Sequence, residues 1–155
     1  MEEMYQRNRD LVEFRMVYIN EAHAADSNWA VGYAKEKGIN NHTNYDERCK
    51  TAEMLIADKS LTIPCLIDGM DNRVNQAYRA WPDRVFLVRS DGRLAVAAAR
   101  GPRGFAPALK QVDLWLRELR KTGHEPELTE EQMAAAEQRA AEKAERSKSK
   151  RQDDH

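Results

Sequence analysis

Val17, Tyr18, Ile19, Asn20, Glu21, Ala22, His23, Ala24, Ala25, Asp26, Ser27, Asn28, Trp29 runs an apolar strand pattern directly into a cluster of proton-handling side chains. In open α/β sheets the carboxyl end of a strand is where chemistry is usually built. Upstream, Phe14, Met16, Val17, Tyr18 and Ile19 are interrupted only by Arg15, the near-continuous run of a parallel strand covered on both faces. No Cys precedes this strand, so the segment shows part of an active site without an evident nucleophile.

Working outward, Glu2 to Asp10 suits the end of a helix, too short to stand alone. Asn44, Tyr45, Asp46, Glu47 has the form of a capping box, and Cys49, Ala52, Leu55 and Ile56 then recur at helical spacing, predicting a helix to about Ala57. Ile63, Pro64, Cys65, Leu66, Ile67 reads as a second buried strand, its Pro suiting a strand start. Val74, Ala77 and Tyr78 fit a short helix that Pro82 would stop. Val85 to Val88 and Leu94 to Val96, joined through Asp91-Gly92, form a hairpin signal. Arg100 to Gly104 is a tight loop before a helix with Leu109, Val112, Leu116 and Leu119 on one face and Trp115 beside them, stopping near Gly123.

A chain of 155 residues can bury one core, so one domain over residues 1–125 is expected, with a charged Ala/Glu/Lys-rich tail over 126–155, helical or disordered, that cannot dock firmly. The order predicts an α/β fold: a thioredoxin-like three-layer α/β/α sandwich with a mixed sheet and an inserted strand and helix, as in peroxiredoxins.

A formal charge of -1 supplies no sustained positive field, arguing against nucleic acid or an anionic membrane as partner. The charged opening lacks the apolar run of a secretory signal, and no stretch is long enough to span a bilayer, so a cytoplasmic protein is expected. Cys49 and Cys65 are too far apart for a Cys-x-x-Cys motif. In a reducing compartment they read as two free, mostly buried thiols, with a regulatory disulfide as the alternative.

Glu21 and His23, two apart after a strand, would point the same way and could share a proton, the Glu readying the imidazole as a general acid, although spacing alone favours a solvated pair without function. His42, in a polar loop before a helix, either caps or decorates the surface or joins His23 and Asp26 as a metal site. Without clustered ligand spacing no metal is expected. Arg100, at a strand end before Gly101, stands where a guanidinium can clamp an anion, or is a plain surface charge. Pro82 occupies the place where thioredoxin-like folds put a cis proline, although a trans turn fits the dipeptide as well.

Taken together these blocks resemble the iodothyronine deiodinase family from about Leu11 to Lys121. The matching residues run through Val17 to Ile19, Glu21 to Ala24, Asp26, Trp29, Asn41, His42, Glu47 and Arg48. They continue through Asp68, Met70 to Asn72, Ala77, Tyr78, Ala80, Pro82, Arg84, Arg100 to Pro102, Gly104 and Phe105. The resemblance implies a thioredoxin fold that removes iodine reductively from an aromatic ring, with a selenocysteine or cysteine nucleophile, an external thiol reductant and no resident cofactor. Glu21 and His23 would then deliver protons and His42 and Arg100 would grip the ends of a phenolic amino-acid substrate, with Pro82, Asp26 and Trp29 structural near the site. Homodimerisation is left open. The family's nucleophile lies between its first core strand and helix, upstream of the matching residues. The expectation is an amino-terminally shortened member, lacking that strand and impaired in turnover. The alternatives are a non-enzymatic thioredoxin-like binding module or a thiol redoxin acting on another substrate.

Overall fold

A computed structural model describes residues 1–101 and 103–127 together with positions 131, 134 and 138. Pro102 of the predicted tight loop and nearly all of the predicted tail lie outside the described residues. The chain forms two compact units, Met1–Asp83 and Arg84–His155.

The first unit runs α1 (Glu2–Asn8), β1 (Met16–Tyr18), α2 (Gly32–Lys37), α3 (Tyr45–Asp58), β2 (Cys65–Ile67) and α4 (Arg73–Tyr78). As predicted, β1 and β2 pair in parallel, with Met16 opposite Cys65 and Tyr18 opposite Ile67. The pairing is extended by Met16 N–H donating to the Pro64 carbonyl and Asp68 N–H to the Tyr18 carbonyl, both at 2.9 Å. The apolar runs predicted two buried strands, but β1 is half-buried throughout and Leu66 is exposed at the centre of β2. Each strand has one hydrogen-bonded neighbour among the described residues, so one edge of each stays open and alternate side chains are only partly covered.

Helix α3 starts as the capping pattern predicts: the Asn44 side chain accepts from Glu47 N–H at 3.0 Å. The return contact differs, because the Glu47 carboxylate takes Thr43 N–H at 2.7 Å and the Thr43 hydroxyl at 2.9 Å, instead of the Asn44 amide. Helix α2 is not legible from periodicity. Six residues leave no room for an apolar stripe, and its one signal is Gly38, left-handed at φ 67° and closing the helix on the carbonyls of Ala34 and Lys35. Helix α4 ends at Tyr78 on a left-handed Arg79, before Pro82 can act. Helix α1 is fastened by the Glu2 carboxylate, which accepts from Thr62 N–H at 2.9 Å. Its bonds to Gln6 first, and then to Thr62, hold Glu2 at a pKa of about 2.

In the second unit β3 (Phe86–Val88) and β4 (Leu94–Ala97) form the predicted antiparallel hairpin, and Gly92 supplies the positive φ of its turn. Helix α5 (Phe105–Thr122) packs on β4 and stops at a left-handed Gly123. Its buried stripe is Ala108, Val112, Trp115 and Leu116. Trp115 is therefore central to that face, with its indole N–H donating to the Pro126 carbonyl at 3.1 Å. Gly104, at the start of α5, touches the chain so closely that a Cβ there would stand 1.9 Å from the Ala99 carbonyl oxygen.

Candidate functional site

The carboxyl end of β1 delivers Tyr18 and, three residues on, Glu21. The Tyr18 hydroxyl donates to Glu21 Oε2 at 3.0 Å, while Glu21 Oε1 accepts from the backbone N–H of Ala22 at 3.1 Å and of His23 at 3.3 Å. Burial, and next the Glu21 charge, push the Tyr18 phenol above its ordinary value, so it stays protonated and keeps donating. Glu21 thus bonds the backbone of His23, and the ring that sequence spacing paired with it turns elsewhere: His23 Nδ1 lies 3.0 Å from the Trp29 carbonyl. A carbonyl only accepts, so Nδ1 carries the proton there. A turn in which Ser27 N–H and hydroxyl both donate to the Ala24 carbonyl, at 2.9 and 2.7 Å, brings Trp29 back to His23.

Asp26 joins this turn to the next loop. Its Oδ1 accepts from Asn41 N–H at 2.9 Å and the Asn41 amide at 3.0 Å, and Ala25 N–H donates to the Ile39 carbonyl at 2.7 Å. The neighbouring residue, His42, is thereby set with its ring centroid 6.0 Å from that of Tyr18. Its Nε2 lies 3.1 Å from the Thr51 hydroxyl of α3. Burial, then the Arg48 charge, lower the His42 pKa against the opposing pull of Glu21 and Glu47, which favours a neutral ring near neutral pH.

Beneath lies a buried frame. Arg48, 2% exposed, donates through Nη1 to the carbonyls of Asp68 at 3.1 Å and Gly69 at 2.7 Å. Asp68, also 2% exposed, accepts from Val74 N–H at 3.0 Å and Asn75 N–H at 2.9 Å, capping α4 from the end of β2. Asn75 then spans two segments: its amide donates to Asn20 Oδ1 at 2.7 Å, and its Oδ1 accepts from Trp81 N–H at 2.9 Å. Trp81-Pro82 is the cis peptide.

The structure therefore brings Glu21 and His42 each against Tyr18, with Asp26 as the tie between their loops and Trp29 holding His23 through its carbonyl. Arg100 belongs to the other unit, where it is exposed and its carbonyl accepts from Gly104 N–H at 3.1 Å. The roles of Tyr18, Arg48, Thr51, Asp68 and Asn75 escaped sequence reasoning. Tyr18, Arg48 and Asp68 stood among the family-matching residues, Arg48 also as a charge one turn before Ala52 on the apolar face of α3, whereas Thr51 and Asn75 left no signal.

Cys49 and Cys65 are free and half-buried, and burial pushes the Cys65 thiol up. Among the described residues no three His, Cys, Asp or Glu side chains gather as a metal site. A hollow of about 270 Å³ in the second unit is lined by Arg89, Arg93, Leu94, Trp115 and Glu127 and contains none of the predicted site residues. No helix among the described residues is long and apolar enough to cross a membrane.

A family model for iodothyronine deiodinase matches residues 2–120. Type II iodothyronine deiodinase of Neoceratodus forsteri is 38% identical over 112 residues, covering 70% of this chain and 40% of that protein. Thyroxine 5-deiodinase of Sparus aurata is 32% identical over 114 residues, covering 72% of this chain and 39% of that protein. Type II iodothyronine deiodinase of Homo sapiens is 34% identical over 110 residues, covering 68% and 39%. The chain thus spans about 40% of the length of these curated relatives. The matched region includes β1, its Glu21 and His23 turn, His42 and the Arg48–Asp68 frame. On this match the chain belongs to the iodothyronine deiodinase family.

Proposed function

We propose that this chain carries the proton-handling and substrate-gripping part of a deiodinase acting on thyroxine-like iodinated phenols. In the reaction an aryl carbon–iodine bond breaks, iodide leaves, the ring carbon takes a proton, and two thiols of an external reductant are oxidised to a disulfide. No resident cofactor is required. What supports the reading is the Tyr18–Glu21 bond beside His42 at the carboxyl end of a parallel strand, in a chain matched by the deiodinase family model. Glu21 serves proton delivery with His23, whose Nε2 is the ring nitrogen not held by Trp29. His42 meets the phenolic hydroxyl.

Neither thiol is assigned the nucleophile. Cys65 sits within β2 with its thiol pushed up by burial, and Cys49 lies in the second turn of α3, beyond the free N–H groups of the helix start. This placement favours a second reading, a binding module that holds the phenol with little turnover. Iodide release from thyroxine in the presence of dithiothreitol, alongside thyroxine binding followed by tryptophan fluorescence, separates the two. Turnover lowered by Glu21→Gln and His42→Asn supports the deiodinase. Saturable binding without iodide supports the module. Absence of both removes the functional reading.

A further inference from the structure

Thr51 lies one turn after Glu47 on α3, and its hydroxyl has one proton to give. That proton goes to the Glu47 carbonyl at 3.0 Å, because a carbonyl only accepts. The same Thr51 oxygen is 3.1 Å from His42 Nε2, so the second bond has to be donated by the ring. We propose that Thr51 is a positioning residue that fixes His42 in its Nε2–H form, leaving Nδ1 as the acceptor the site offers to a neutral phenolic hydroxyl. The phenol in this statement rests on the function proposed above; the ring's proton placement does not.

The surroundings agree. Nδ1 is shielded from solvent and has no hydrogen-bond partner. Unpaired, this nitrogen is an unsatisfied buried group in either form, and with Nε2–H given to Thr51 it is a lone pair that a ligand's donor satisfies once the ring's cover moves aside. The charged and titratable groups around the ring are committed elsewhere. From β1 and the turn after it, the Tyr18 hydroxyl is given to Glu21, and Glu21 accepts in addition from Ala22 and His23. From α3, the Glu47 carboxylate is taken by Thr43, and Arg48 donates through Nη1 to Asp68 and Gly69, its buried Nε having no partner among the described residues. On the loop that carries His42, Asp26 is held by Asn41. Burial and Arg48 keep the ring neutral, the state in which choice of nitrogen matters. An acceptor at Nδ1 selects a protonated phenol over the phenolate and over an ether, neither of which can donate.

The test uses the intact chain, labelled with nitrogen-15, at a pH where His42 is neutral. Long-range proton–nitrogen correlation spectra show which ring nitrogen is protonated, the His42 signals being assigned by their loss in His42→Gln. The expected result is a single Nε2–H form in the wild type and in Thr51→Ser. In Thr51→Val, a substitution of equal shape, an Nδ1–H population should appear. Binding of 2-iodophenol should weaken about fivefold, the scale of one neutral hydrogen bond. 2-Iodoanisole should bind more weakly than 2-iodophenol by a similar factor. An Nδ1–H ring in the wild type, or a Thr51→Val variant with unchanged ring spectrum and affinity, overturns the role of Thr51. Equal binding of the phenol and its ether overturns the acceptor role of Nδ1. Absence of iodide release beside the expected spectra removes the deiodinase reading and leaves the ring's proton placement standing.

Discussion

Replacing Asp68 by Ala is expected to be among the most damaging single changes in the first unit. The carboxylate is almost fully buried, and its two oxygens accept from Val74 N–H at 3.0 Å and Asn75 N–H at 2.9 Å. Asn72, at the start of α4, gives no side-chain cap and Asp71 takes only a long 3.4 Å bond from Arg73 N–H, so Asp68 supplies most of the capping of that first turn. Hydrogen bonds to a charged group contribute about 1.5 to 3 kcal/mol each, and partial access of water to the freed N–H groups leaves a net loss of about 3 to 5 kcal/mol. That is a large fraction of the roughly 5 to 15 kcal/mol by which a domain is stable. The consequence spreads, because Asn75, set by this cap, also joins Asn20 to Trp81. Urea unfolding of the intact chain followed by circular dichroism should show the midpoint falling with little change in slope. Asp71→Ala is the control. Asp71 is exposed and its ion pair with exposed Arg73 is worth at most about 1 kcal/mol. A loss below about 1 kcal/mol in Asp68→Ala, or one no larger than the control's, would refute the capping argument.

Arg48→Met removes the positive charge that helps lower the His42 pKa, so the His42 titration followed by NMR should move upward; an unchanged or lower midpoint would contradict the assignment. Because the His42 pKa is depressed in the folded chain, the unfolded state binds more protons between that lowered value and 6.5. The His42 contribution to stability is therefore present above pH 6.5 and is lost as pH falls through this window, and urea midpoints measured across it should lose that slope in His42→Gln. In the second unit, Gly104→Ala places a Cβ 1.9 Å from the Ala99 carbonyl oxygen and 2.2 Å from its carbon, forcing backbone apart. A loss of at least about 1 to 3 kcal/mol in urea unfolding is expected, and a neutral outcome would mean that the Ala99–Gly104 approach is not maintained.

Local patterning determined much of this protein. The Asn44–Glu47 box, the Asp91-Gly92 turn, Gly123 and the apolar runs each act over a few residues, so α3, the hairpin, the end of α5 and the parallel pairing of β1 with β2 were legible in order. The family resemblance was legible as well, since it rests on residue types in sequence. Depth of burial was not, because an apolar run carries no record of how many strands will cover it. Nor were the partners of the site. Spacing put Glu21 with His23, yet a carboxylate bonds whatever donor the folded chain presents, and Tyr18 and two backbone amides reach it first. His42 meets Tyr18 and Thr51 only because Asp26 ties two loops fifteen residues apart. Hydrogen-bond geometry is a property of positions in space, and that is where tertiary structure, not sequence, decided the chemistry.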